Sequence, residues 1–92
     1  MAFGFDEIKD KSNRKKHGLS LALAESFDWL NEPIQPARTT AGEARFKILA
    51  RQAGRVLAAI FTVRGEDIRV ISLRPASRQE RRTYAERKAR RA

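Results

Sequence analysis

The sequence predicts an α+β domain in which N-terminal helices precede an antiparallel β-meander and a basic C-terminal helix. Three observations carry that prediction. Residues 44–74 hold three apolar or alternating runs separated by short turns, the pattern of consecutive strands. Residues 6–18 open on a capping aspartate and close on a glycine, which brackets a helix. Ser77-Arg78-Gln79-Glu80 is a capping box just after a strand-ending proline, so a second capped helix follows the meander.

Taken in order, Phe3-Gly4-Phe5 reads as a short strand with both rings on one face. Asp6 caps a helix over 7–17 and Gly18 ends it. Glu7 in the first turn and Arg14, Lys15 and Lys16 in the last suit the helix dipole. Ile8 is the main apolar residue of this helix, so its packing is expected to be thin and to lean on Phe3 and Phe5. Ser20 caps a second helix, with Leu23, Phe27 and Leu30 as its apolar stripe and Trp29 off it. Pro33 and Pro36 stop that helix, and a polar loop over 38–42 follows.

Along 44–52, Phe46, Ile48 and Ala50 alternate with Arg45, Lys47, Leu49 and Arg51, a half-buried strand with a basic outer face. Ala53-Gly54 is the turn. Residues 55–63 are nearly all apolar, which predicts a central strand covered on both faces. Arg64-Gly65-Glu66-Asp67 turns the chain into a strand over 67–74. The last helix has little to bury beyond Tyr84, Ala85 and Ala89; Arg81, Tyr84 and Lys88 share one of its faces, and 87–92 is expected to fray when unbound.

Ninety-two residues make a single domain, 1–92, with one modest core. Net charge is +9, and it is unevenly spread: residues 74–92 carry +6, whereas 20–43 carry −3. A chain this basic points to a partner bearing phosphates, the alternative being a merely solvated tail. Without cysteine there are no disulfides, thiolate metal sites or cysteine nucleophiles, and a reducing cytoplasm fits. One histidine, His17, excludes a histidine-rich metal site within the chain. No apolar run reaches the ~18 residues of a membrane span, and the N-terminus has no signal-peptide pattern, so no membrane partner is expected.

Seven short pieces in order carry a family resemblance over about 80 positions. They are Phe3, Phe5 and Asp6 with Lys9, Asn13 and Lys16-His17-Gly18; Phe27-Asp28; Glu43-x-Arg45; Gly54-Arg55-Val56-Leu57; Thr62-Val63-Arg64-Gly65; Arg69-Val70-Ile71-Ser72; and Arg74, Arg78, Glu80 and Tyr84. In this the chain resembles the BrnT toxins, a branch of the RelE-like ribonuclease toxins of bacterial type II toxin–antitoxin systems. It departs from their usual pattern with Phe5 in place of Trp, Asp10 in place of Asn, and Ser72-Leu73-Arg74-Pro75 in place of Ser-Ala-Arg.

The resemblance implies a small RelE-like fold and an endoribonuclease that uses no cofactor or metal. It would cleave mRNA, possibly on the ribosome, by attack of a ribose 2′-OH on the adjacent phosphate, and so inhibit translation. It further implies a ribbon-helix-helix antitoxin that neutralises the toxin, with promoter DNA reached only through that antitoxin. Such cleavage needs in-line positioning, cations for the transition-state charge, and groups that move protons. Arg64 and Arg74 are the first candidates for the phosphate clamp, against a solvated turn arginine and a strand-end charge. Arg45 would share the clamp or else pair with Glu43 or another carboxylate on the sheet face. His17 and Lys16 are acid–base candidates, against hydrogen bonding of helix-end carbonyls. Tyr84 has three open roles: stacking on a base, orienting a proton, or plain packing. Arg78, Arg81 and Lys88 are expected to hold the RNA backbone. The alternatives to an enzyme are a non-catalytic basic RNA- or DNA-binding protein and a degenerate toxin.

Overall fold

The computed structural model describes residues 2–91, the last without its side chain. The elements are β1 (Phe3–Phe5), α1 (Glu7–His17), a 3₁₀ turn (Leu21–Ser26), β2 (Ile34–Pro36), β3 (Phe46–Gln52), β4 (Arg55–Arg64), β5 (Asp67–Pro75) and α2 (Arg78–Arg91). The five strands form one sheet in the order β1-β5-β4-β3-β2. The meander is antiparallel, and β1 joins its β5 edge in parallel. The expected α+β class and the three meander strands are present. The short strand β2 is not among the expected elements: Pro33 and Pro36 end the preceding turn but also lead into edge pairing with β3.

α1 forms as its caps dictate. The Asp6 carboxylate accepts from the N–H groups of Ile8 and Lys9, and Gly18 takes the left-handed conformation (φ 71°). What anchors the helix is polar, and Ile8, its main apolar residue, is 80% exposed. Asn13 is buried and uses its amide as a strand would. It donates to the Leu73 carbonyl (2.8 Å) and accepts from the Leu73 N–H (3.0 Å). These are the edge groups of β5 beyond the end of β1, and Asn13 also donates to the Leu19 carbonyl. Asp10, equally buried, accepts from Ser20 Oγ and the Leu21 N–H. Asn13→Ala leaves three buried backbone groups to find water. It is expected to cost about 2–3 kcal/mol and to lower Tm by about 10–20 °C, readable by thermal denaturation.

The second expected helix is only the 3₁₀ turn. Phe27 is already extended, so Leu30 points away and is 85% exposed, while Trp29 turns inward. The Trp29 ring meets Phe61 edge-on at 4.9 Å and its indole N–H donates to the Ala24 carbonyl. Burying the largest aromatic outweighs the local helical stripe.

One face of the sheet carries the main core of Ile48, Ala50, Leu57, Ala59, Phe61, Ile68, Val70 and Leu73, covered by Leu19, Leu21, Ala24 and Phe27. On the other face α2 packs Tyr84 over Leu49, Val56, Ala58 and Ala76. The face of β3 expected to be a basic outer surface is therefore partly covered: Leu49 is fully buried and Lys47 meets α2. Two hairpin loops close the meander. In the second, Gly65 holds φ 63° at the first central position, where a two-residue hairpin loop favours glycine.

Candidate active site

The α2 face of the sheet also carries the arginines. Residues directly opposite in a ladder point to one side, and here Lys47 faces Ile60, Ala58 faces Arg74, Ile60 faces Ser72, and Thr62 faces Arg69. A β-bulge makes this grouping possible. Ile60 pairs with Ser72 but Phe61 pairs with Val70, so Ile71 is the extra residue. Plain alternation would set Arg69 and Arg74 on opposite faces; the bulge returns both to the same one.

α1 supplies the opposing wall. Lys9, Ser12, Asn13 and Lys16 lie three or four residues apart and share a helix face. Between that face and β5 lies a cavity of about 340 Å³ lined by Lys9, Ser12, Asn13, Lys16, His17, Ile71, Ser72 and Arg74. A smaller hollow of about 110 Å³ is lined by Asp6, Lys9, Glu43, Thr62, Arg64, Arg69, Val70 and Ile71. Lys9 and Ile71 line both, so the two form one trough.

The trough brings together Arg64, Arg74, Lys16 and His17 and adds Lys9 and Arg69, which the sequence reading noted only as parts of a motif. Their signal was present: Lys9 and Lys16 are seven residues apart on a helix, hence two turns along one face. Arg45 is half-buried, and its Nε is buried with no hydrogen-bond partner among the described residues. Glu43, the alternative partner weighed for Arg45, pairs instead with Arg64 Nε at 3.2 Å. Tyr84, Arg81 and Lys88 lie outside the trough. Tyr84 is 6% exposed within the α2 core, its hydroxyl 3.4 Å from Glu32, and Lys88 reaches Glu32 at 2.7 Å. Arg78 is exposed at the start of α2.

Arg74 is held by Glu80. Nη1 and Nη2 donate end-on to the two carboxylate oxygens at 2.6 and 2.9 Å. Lys47 Nζ donates to the same carboxylate at 2.7 Å, and the Ser77 N–H at 2.8 Å. Glu80 is thus both the capping-box acid and the anchor of two cations. Its carboxyl is held well below the usual carboxylate range, first by the Arg74 hydrogen bonds and then by Lys47 and Ser77. The same pairing raises Arg74 above its ordinary value. End-on pairing leaves the side edge of the guanidinium, Nε–H and the second Nη2 hydrogen, without an acceptor among the described residues, and Arg74 lines the trough.

A cationic trough with hydroxyls, a histidine and a preset arginine has the chemistry to take a phosphodiester. In comparison with known families, residues 5–80 match the family described as ribonuclease toxin, BrnT, of type II toxin–antitoxin system. The chain belongs to this family, and as such it is a ribonuclease toxin with an RNA substrate and an antitoxin partner. No curated protein matches the chain. Lys16, His17, Arg45, Arg64, Arg74 and Arg78 fall within the matched segment, whereas Arg81, Tyr84 and Lys88 lie beyond it. Among the described residues no helix is long and apolar enough to cross a membrane.

Proposed function

We propose that this toxin acts in the cytoplasm as a metal-independent, RelE-like endoribonuclease that cleaves mRNA in the trough between α1 and β5 and so inhibits translation. The observation that carries the reading is the convergence of Arg64, Arg69, Arg74, Lys9, Lys16 and His17 on one concave surface. The ribose 2′-oxygen attacks phosphorus, the bond to the 5′-oxygen breaks, and a 2′,3′-cyclic phosphate and a 5′-hydroxyl result. Arg74 grips a non-bridging oxygen through its free edge, and Arg64 adds charge from the far end of the trough. His17 and Lys16 stand where protons must move to or from the reacting oxygens. Glu80 acts on Arg74, fixing the orientation of its fork.

The rival reading, a non-catalytic binder or a degenerate toxin, draws on one observation: Arg64 and Arg74 both already have carboxylate partners. Inducible expression in a bacterial host separates the two. The expected result is growth arrest with new RNA ends carrying 5′-hydroxyls, absent with Arg64→Ala plus Arg74→Ala. In vitro cleavage that persists in EDTA supports the metal-independent route. Normal growth and no new ends, with soluble protein confirmed, favours the rival.

The antitoxin proposed is a ribbon-helix-helix protein whose acidic segment lies over the trough, because the toxin's charge favours an Asp- and Glu-rich partner. A complex that leaves Arg64 and Arg74 open to solvent contradicts that placement.

A further inference from the structure

α2 crosses the sheet and divides its basic face. Glu80 bonds Arg74 of the trough, but the next residue, Arg81, lines a separate hollow of about 380 Å³ that shares no lining residue with the trough. Arg51, Arg55 and Arg81 rim this hollow, over a floor that includes Val56, Ala76 and Tyr84. No carboxylate lines it, and among the described residues none of the three arginines is ion-paired. Among the described residues the acid partners go to Arg14, Lys47, Arg64, Arg74 and Lys88, none of which lines this hollow. Arg81 Nη1 donates to the Ala76 carbonyl at 2.9 Å, and Arg51 Nη1 to the Gly54 carbonyl at 3.4 Å. These backbone bonds tether two guanidiniums at the rim and leave their other donors for a ligand. Three like charges in one concavity repel each other, a cost that a bound polyanion offsets.

We propose that this hollow is a second phosphate-binding site, which holds the backbone of the same RNA strand a nucleotide or two from the bond being cleaved. The inference rests on the ribonuclease reading of the trough. Two placements support it. Arg74 lines the trough and its neighbour Pro75 lines the hollow, so a strand leaving along the end of β5 passes directly from one to the other. Arg74 lies opposite Ala58, and Val56 on the hollow's floor is two residues along β4 on the same face, with Arg51 opposite it, a step of about 7 Å at about 3.3 Å per residue. The site reads charge and not sequence, because planar forks grip phosphate oxygens whatever the base.

The test measures binding of purified toxin to 2′-O-methyl oligonucleotides, which cannot be cleaved, by fluorescence anisotropy over a range of salt. Arg51→Ala plus Arg55→Ala is expected to weaken a ten-nucleotide ligand about 10-fold. The slope of log affinity against log salt should fall by about 1.4, at about 0.7 per lost phosphate contact. A three-nucleotide ligand, which fills only the trough, should bind as before. Arg51→Lys plus Arg55→Lys, which keeps the charge, should keep most of the slope. Unchanged binding of the longer ligand by the alanine variant, with its Tm intact, overturns the proposal, as does an equal loss for both lengths. If the alanine variant loses affinity only for an acidic antitoxin segment, the hollow belongs to the partner and the RNA assignment falls. A wild type that binds neither oligonucleotide overturns the ribonuclease reading itself, and this inference with it.

Discussion

Arg74→Lys is expected to lower RNA cleavage by about 10²–10³-fold, nearly as far as Arg74→Ala, although it conserves charge. The reason lies in how the guanidinium is divided. One edge is committed to Glu80 by two short hydrogen bonds, and the other is free at the trough. A lysine ammonium has no second edge: satisfying Glu80 turns it from the phosphate, and serving the phosphate leaves a buried carboxylate short of a donor. Arg64 is different. It is 59% exposed and meets Glu43 through Nε alone, so Arg64→Ala should cost less, about 10-fold. Cleavage of a labelled RNA by purified toxin, with and without ribosomes, reads both. Activity of Arg74→Lys within threefold of wild type shows that position 74 supplies only a point charge; the same for Arg74→Ala moves the clamp elsewhere.

That division was not legible in the sequence. The spacing from Ser77 to Glu80 announces a capping box, and the box is there, with Ser77 Oγ accepting the Glu80 N–H at 3.1 Å. Nothing local says that the same carboxylate reaches Arg74 and Lys47, because those contacts depend on where α2 lands on the sheet. The bulge at Ile71 is hidden for a similar reason. Period-two alternation is a rule about unbroken ladders, and one inserted residue reverses the facing of everything after it. Features set by neighbours along the chain were readable: the caps of α1, the turns of the meander, the apolar central strand. Features set by distant burial were not. Leu30 fits a helical stripe in sequence, but Trp29 takes the interior because Phe61 is there to receive it. The sequence shows α1 to be poor in apolar anchors, but not that the open edge of β5 at Leu73 makes Asn13 its anchor.

Glu80→Gln is the substitution that isolates the anchoring of Arg74 from the capping of α2. Glutamine at the third position of a helix still closes a capping box, so the helix start should survive. What disappears is the negative charge that orders Arg74 and Lys47. Cleavage is expected to fall about 10- to 100-fold, mostly in kcat, because a loose fork still attracts RNA but no longer meets the transition state in a fixed orientation. Ser77→Ala is the counterpart. It removes the Oγ cap and spares the Arg74 contact, so it should lower Tm by a few degrees, at about 1 kcal/mol, and leave kcat near wild type. A higher rate for Glu80→Gln means that the carboxylate restrains Arg74 from substrate; an unchanged rate means that Arg74 needs no anchor. The two variants also separate in acid. Glu80 titrates lower in the folded chain than its ordinary value of 4.5, so its contribution to stability is complete above that pH. It drains away as pH falls toward the depressed value, where the carboxylate takes up a proton and releases its two cations. Wild type and Ser77→Ala should therefore lose stability below about pH 4.5 more steeply than Glu80→Gln, which has no such charge to lose. Equal acid limbs for all three in thermal or urea unfolding exclude a stabilising Glu80 charge, while a flattened limb with an unchanged kcat confines Glu80 to holding the fold.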